Sequence, residues 1–165
     1  MRMSDGPTVA EDVFINASPA TVWALITDLD AIGRWSPEYQ GGEWIEGATG
    51  PAVGARFKGH NKREDREWES QSIITVCDVE RTLAWAVGRE PSSAGASWRF
   101  ELTPQDSGTH VRQQVIIGPG PSGLTAVIDQ RPDLEEKIIA NRCAEHSRNM
   151  QATLQGLKAA AEQGA

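Results

Sequence analysis

Residues 132–163 read PDLEEKIIANRCAEHSRNMQATLQGLKAAAEQ and predict one long helix at the end of the chain. After Pro132 the stretch contains no further proline, and three carboxylates stand in its first turn, where the helix dipole favours negative charge. Its apolar stripe has spacings of three and four and includes one histidine: Ile139, Cys143, His146, Met150, Leu154, Leu157 and Ala161. This stripe needs an apolar surface to lie against.

Strands in the middle of the chain are predicted to supply that surface. Seven strands are indicated, at 9–17, 41–45, 55–61, 68–79, 82–88, 96–103 and 109–117. Short, turn-rich separators favour an antiparallel meander. Alternation gives each strand one apolar face, as where Trp98, Phe100 and Leu102 alternate with Ser97 and Arg99.

Two short helices are predicted between the first and second strands. Ser18-Pro19 combines a helix N-cap with the residue favoured at the first helical position, and the helix runs from Pro19 to about Asp28. A second helical turn follows from Asp30 through Trp35. The Ser36-Pro37 pair then ends it, because the residue before proline disfavours helical backbone.

The resulting fold class is α+β, with a curved seven-stranded antiparallel sheet that grips the long C-terminal helix. Residues 9–163 are expected to form a single domain, preceded by a disordered or extended N-terminus at 1–8. The 165 residues are enough to bury a full core without disulfides or metal.

Composition narrows the function classes. The chain carries a net charge of −7, which disfavours binding to nucleic acid. It has no apolar run of membrane-spanning length and no apolar segment in residues 1–8 that would act as a secretory signal, so a cytoplasmic location is expected. Cys77 and Cys143 lack metal-ligand spacing. Residues 118–123 spell G-x-G-x-x-G outside any parallel βαβ unit, so neither a metal nor a cofactor is expected.

Several segments together resemble a known superfamily. They are Ser18-Pro-Ala-Thr-Val-Trp23, Arg34-Trp-Ser-Pro37, Gly41-Gly-Glu-Trp44, Val53-Gly-Ala-Arg-Phe-Lys-Gly-His-Asn61 and Asn149-Met-Gln-Ala-Thr-Leu-Gln-Gly-Leu-Lys158. In this order they resemble the START-like (SRPBCC) superfamily, and in particular its actinobacterial polyketide cyclase/dehydrase and lipid transport group. The likeness covers residues 9–161 and implies the helix-grip fold. Members of the superfamily include lipid and hormone carriers, polyketide aromatase/cyclases and modules that bind proteins.

A cavity between sheet and helix is the predicted site, because inward residues on several strands of a curved sheet cannot all reach one helix. The large aromatic and apolar candidates come from three places. They are Trp35 in the second short helical turn, Phe57, Trp68, Trp85 and Trp98 on the strands, and Met150 on the stripe of the long helix. Polar candidates in the same phases are Asn61, Ser72, Gln113 and His146, and Gln113 is the favoured contact for a ligand.

Three functions remain open at this stage. Binding or carriage of a hydrophobic small molecule, such as a lipid or an aromatic polyketide, is preferred. An aromatase/cyclase would need an interior acid or base, for which His146 is the main candidate, or else Asp129 or Glu145 turned inward. The enzyme hypothesis therefore ranks second. A protein-interaction module resembling co-chaperones would have a filled core, and the sequence leaves monomer and homodimer open.

Overall fold

Seven antiparallel strands form one sheet, and in the computed structural model, which describes residues 1–164, the long last helix lies across it. The strands are β1 (Thr8–Ile15), β2 (Tyr39–Ile45), β3 (Arg56–Arg63), β4 (Arg66–Asp78), β5 (Thr82–Val87), β6 (Ala96–Gln105) and β7 (Gly108–Ile117). Their order in the sheet is β1-β7-β6-β5-β4-β3-β2. The predicted strands are confirmed, with ends that differ by one or two residues.

The helices are α1 (Pro19–Ile26), α2 (Leu29–Gly33), α3 (Gly123–Gln130) and α4 (Glu135–Gln163). Ser18 caps α1 as expected, since its side chain accepts a hydrogen bond from the Thr21 amide at 3.2 Å. Asp28 caps α2 in the same way, through the Asp30 amide at 3.0 Å. These caps satisfy amides that the first turn of a helix leaves free. The α+β helix-grip class is therefore confirmed.

Helix α4 packs mainly along β1, and polar contacts align the two elements in the same direction. Gln151 donates to Glu11 at 3.3 Å, and the Asn16 amide donates to Glu162 at 2.9 Å. The five-residue separation from Glu11 to Asn16 and the eleven-residue separation from Gln151 to Glu162 each span about 17 Å. Both contacts can therefore form at the same time. The helix is fixed along its length to the edge of the sheet.

The sheet bends away from α4 beyond β7, and a bulge in β4 contributes to that bend. The pairing of β4 with β5 shifts between Ile74 and Val76, so Ile74 lies opposite Trp85 and Cys77 lies opposite Leu83. A bulge increases the local twist of a strand. The space that opens between helix and sheet is partly filled by a core of buried side chains that includes Ile15, Phe100 and Leu157.

The N-terminal segment differs from the disordered or extended prediction. Met3–Asp5 forms one 3₁₀ turn, and the Met3 amide donates to Glu135 at 2.9 Å. The strand then begins at Thr8. At the other end, Pro132–Leu134 is a 3₁₀ turn, so α4 itself starts at Glu135. Within residues 1–164, no helix has the length and apolar character needed to cross a membrane.

Trp35 packs against α4 at a position where only glycine fits. A methyl group placed on Gly156 would lie 2.2 Å from Cγ of Trp35 and 2.4 Å from its Cβ. These atoms are next to the backbone, so no side-chain rotation relieves the overlap. The indole therefore fixes the α2 end of the chain against the helix.

Gly156→Ala should destabilise the fold even though alanine favours a helix by about 1 kcal/mol over glycine. Overpacking of this kind costs about 1–3 kcal/mol, which exceeds that gain. Urea unfolding followed by circular dichroism would measure the change. In a Trp35→Gly background, which removes both the Cβ and the Cγ atom, the same substitution should be neutral or stabilising. Destabilisation there would contradict the proposed contact.

Candidate functional site

A cavity of about 140 Å³ lies between the inner face of the sheet and the helices α1, α2 and α4. Apolar and aromatic side chains make up most of its wall, and a smaller number of polar groups interrupt them. The lining residues are Ile26, Thr27, Leu29, Ile32, Ser36, Glu38, Tyr39, Trp44, Phe57, Asn61, Ser70, Ser72, Ile74, Leu83, Trp85, Val87, Trp98, Phe100, Gln113, His146, Asn149, Met150 and Thr153.

One side of the cavity is a continuous aromatic wall that crosses the sheet, formed by Trp44, Phe57, Trp85 and Trp98. Ring centroids are 5.7 Å apart for Trp44 and Phe57, 6.1 Å for Phe57 and Trp85, and 6.4 Å for Trp85 and Trp98. The last ring meets His146 of α4 edge to face at 5.3 Å. Such geometries are favourable for aromatic pairs, so the wall holds its shape.

Eight of the ten predicted site residues line this cavity. They come from β3, β4, β5, β6, β7 and α4, and they are Phe57, Asn61, Ser72, Trp85, Trp98, Gln113, His146 and Met150. The inward phase of the strands and the stripe of the helix identified them from sequence.

Trp35 and Trp68 lie outside the lining, contrary to the prediction. Trp35 packs against Gly156, as described above. Trp68 has the expected inward phase but lies close to the β3–β4 turn, where the Arg66 guanidinium stands 5.6 Å from its ring centroid. Phase determines which face of the sheet a residue occupies, and it does not determine how far along the strand the cavity extends.

Most polar side chains at the cavity already have partners in the protein. Asn61 donates to Ser70 at 3.1 Å, and Thr153 donates to the Asn149 carbonyl at 2.9 Å. The helix hydroxyl of Thr27 bonds to the Trp23 carbonyl at 2.7 Å. These groups therefore shape the wall without a ligand.

Three lining groups stand apart, because Ser72, Gln113 and His146 make no side-chain hydrogen bond to any other residue among 1–164. All three are at least 94% buried, with exposed fractions of 1%, 5% and 6%. The Oε1 atom of Gln113 is fully buried and has no partner among these residues. Buried polar groups are normally satisfied, so each of the three is a candidate contact for a ligand.

His146 is uncharged at neutral pH. Burial lowers its pKa to about 3, and the nearby Arg142 and Arg63 act in the same direction, while Glu145 opposes them. The neutral imidazole has one donor and one acceptor nitrogen. It can therefore bind a ligand group but is a weak base and supplies no acidic proton near pH 7.

Tyr39 lines the cavity, and the periodicity of the strands did not predict it. Its hydroxyl donates to the Leu29 carbonyl at 2.8 Å. Burial and the surrounding carboxylates raise its pKa, so the phenol stays protonated. The sequence does carry a sign that a large side chain lies here, namely the two glycines Gly42 and Gly59, which pair across β2 and β3. Both leave room for the Tyr39 ring. A methyl group on Gly42 would lie 2.8 Å from the Tyr39 hydroxyl.

A charged group at the edge of the cavity was also missed. Glu38 accepts two hydrogen bonds from Arg142, at 2.7 and 2.9 Å. Arg142 also contacts Glu145, and Arg63 at the end of β3 donates to Glu145 at 2.7 Å. These four residues, called the rim cluster below, join three separate parts of the chain. No local spacing in the sequence brings them together.

The other two acids considered for catalysis do not enter the cavity. Glu145 belongs to the rim cluster and is absent from the lining, and Asp129 is exposed on α3. Of the residues that line the cavity, only Glu38 carries a formal charge, and Arg142 neutralises it. The interior is therefore electrostatically neutral.

The sequence matches the profile of the polyketide cyclase/dehydrase and lipid transport family over residues 7–162. The chain belongs to this family. The match covers the whole of the sheet and all but the last residue of the gripped helix. Among curated proteins, none matches the sequence.

Solved structures agree with the family assignment. A polyketide-cyclase-like protein from Corynebacterium glutamicum is 27% identical, with a TM-score of 0.67 over 92% of this chain and 88% of its own. A protein from Nitrosomonas europaea, 14% identical, has a TM-score of 0.67 with 95% of each chain covered. The Aha1 dimer of Colwellia psychrerythraea is 18% identical, with a TM-score of 0.60 over 94% and 96% of the chains. The last two share the fold.

We expect His146 to make the folded protein less stable as pH falls. Its pKa is about 3 in the folded chain and about 6.5 when unfolded. Acid therefore protonates the unfolded state first, and stability present above pH 6.5 is lost as pH falls towards 3. Between pH 7 and pH 5 this loss is about 2 kcal/mol. Urea unfolding at the two pH values would measure it.

The His146→Gln variant is the control, because its side chain does not titrate. Arg142, Arg63 and Glu145 remain in both proteins, so their effects cancel in the difference. The variant should lose less stability than the parent over the same interval. Equal losses would mean that the folded imidazole titrates as it does in water.

Arg142→Met should destabilise the protein, because it leaves the carboxylates of Glu38 and Glu145 without their shared partner. Breaking a fully buried ion pair costs about 3–5 kcal/mol. Since Glu38 and Arg142 are 15% and 17% exposed, we expect about 2–3 kcal/mol. Arg148→Met, an exposed change on the same helix, is the control. Equal effects of the two changes would contradict the importance of the rim cluster.

Proposed function

We propose that this protein binds an uncharged, largely apolar small molecule in its central cavity and releases it unchanged. The observation that carries the proposal is the cavity itself, with its aromatic wall and three buried polar groups that lack partners. Ligand sites in proteins have this composition, in which apolar walls provide affinity and a few polar groups fix orientation. Membership in a family described by lipid transport as well as cyclase activity supports the same function.

The size of the cavity limits what fits without rearrangement. An apolar cavity of about 150 Å³ holds a molecule the size of benzene, and the volume here is about 140 Å³. Pockets for drug-sized ligands usually reach about 300–1,000 Å³. One aromatic ring therefore fits the observed cavity, whereas a multi-ring polyketide or a long acyl chain requires the helices and sheet to move apart.

The aromatase/cyclase alternative has less support from the side chains. Turnover of a polyketide requires a group that moves protons at the reacting carbon. His146 is uncharged and weakly basic, Tyr39 keeps its proton in a bond to Leu29, and Glu38 is held by Arg142. Each group favours binding over proton transfer in the neutral pH range.

A protein-interaction role would not need the cavity, and its presence favours the small-molecule proposal. A cytoplasmic location remains a prediction. The Aha1 protein, which shares the fold, forms a dimer, and the sequence is compatible with monomer and homodimer. Light scattering on the purified protein would decide between monomer and homodimer.

Filling the cavity should weaken binding strongly while leaving the fold intact. Ser72 is 1% exposed and lies on the cavity wall, so Ser72→Leu adds two heavy atoms towards the ligand space and replaces the hydroxyl with an apolar group. Thr75→Leu is the matched change on the same strand, at an exposed position. Titration with toluene and with a short-chain fatty alcohol, followed by tryptophan fluorescence, should show binding to the parent and to Thr75→Leu.

Binding should fall by roughly tenfold or more in Ser72→Leu, since an overfilled site excludes even a small ring. Circular dichroism would establish that both variants remain folded. Equal affinity of the two variants would place the ligand elsewhere. If the parent binds neither probe, a structure of a protein complex would be the next evidence to seek, and the small-molecule proposal would be abandoned.

A further inference from the structure

The chemistry of the three unpartnered groups specifies the ligand further, and this inference rests on the proposed function. Gln113 is 95% buried at the cavity wall, opposite Phe100 on the neighbouring strand. Its Oε1 atom has no hydrogen-bond partner among residues 1–164. An unpaired buried amide oxygen is unfavourable, and a ligand that pairs with it removes that penalty.

A hydroxyl group matches this wall better than a carbonyl or an ether. Gln113 has an acceptor oxygen and a donor nitrogen, and the oxygen is the buried atom without a partner. Ser72 and the neutral His146 are also both donors and acceptors. A hydroxyl can donate to the unpartnered Oε1 atom of Gln113, whereas a carbonyl or ether oxygen can only accept and would leave that atom unpaired.

The charged groups at the cavity disfavour the binding of ionised ligands. No lysine or arginine is among the residues that line the cavity, and Glu38 is the one charged residue there. The guanidinium of Arg142 is already shared between Glu38 and Glu145. An anionic ligand would lose its hydration and gain no free cation in return. A cationic ligand would have to break the Glu38–Arg142 pair.

We propose that the cavity selects a neutral, hydroxyl-bearing ligand with a single ring, of the phenol type, whose hydroxyl pairs with the Gln113 amide. The aromatic wall takes the ring, and the volume of about 140 Å³ admits one ring of that size. Edge-to-face contacts with Trp85 and Trp98 are available to such a ring. The polar end of the ligand thus lies against β7.

Four probes of similar size test the proposal: phenol, toluene, anisole and benzoate, each titrated at pH 7 by calorimetry. Toluene has the shape of phenol without the hydroxyl, and anisole keeps an acceptor but has no donor. Phenol should bind more tightly than toluene to the parent protein. Gln113→Leu should shift this preference towards toluene by roughly three- to tenfold, the effect of one net hydrogen bond.

Gln114→Leu is the control, because Gln114 is the next residue on β7 and faces the opposite side of the sheet. It should leave the preference unchanged. Gln113→Leu should also raise the urea midpoint of the free protein, since it removes an unpaired buried oxygen. This stability measurement tests the state of the amide without any ligand.

The outcomes separate the two proposals. Binding of toluene and phenol with equal affinity, unchanged in Gln113→Leu, would overturn the hydroxyl inference and leave the apolar binding function intact. Anisole binding as tightly as phenol would overturn the requirement for a donor, and tighter binding of benzoate would overturn neutrality. Failure of all four probes to bind would count against the proposed function itself.

Discussion

The docking of α4 along β1 is the contact on which the rest of the structure depends. It joins the last element of the chain to the first strand, and bonds such as Gln151 to Glu11 and Asn16 to Glu162 keep the two in step. Because α4 follows an edge strand of a strongly bent sheet, it covers β1 and β7 more closely than the strands beyond them. The aromatic side chains and the cavity occupy the resulting space between α4 and the more distant strands.

The aromatic wall explains why that separation does not close. Flat rings that meet edge to face support one another at centroid distances near 6 Å, and each pair gains about 0.5–1.5 kcal/mol beyond its buried area. Collapse onto α4 would require Trp85 and Trp98 to give up these contacts and would bury the Gln113 amide further. The cavity therefore follows from the rigidity of its wall, and it is not a packing defect.

How much of this the sequence could predict depends on the range of the interactions. The helix stripe and the strand alternation are local and periodic, so the fold and eight of the ten site residues followed from them. Trp68 has the right phase but the wrong position along β4, and Trp35 contacts Gly156 in a way that no period encodes. Glu38 meets Arg142 across more than a hundred residues, which a single sequence does not reveal. Glu11 also faces α4, where Gln151 donates to it. Its neighbours in the same phase of the strand, Val9 and Val13, are apolar, so the alternation did not predict a polar contact there.

The rim cluster, formed where β2, β3 and α4 meet, keeps its charged groups at the edge of the cavity. The rim cluster satisfies its two acids and two bases internally, so its field at the cavity is that of opposed pairs and falls off quickly with distance. Arg142 lies one turn before His146 on α4, where its charge adds to the effect of burial and keeps the imidazole neutral. The same guanidinium thus closes the edge of the cavity and adds to the effect of burial on the pKa of His146. A site arranged in this way discriminates by shape and hydrogen bonding, because the charges that could attract ions are already used to hold the fold together.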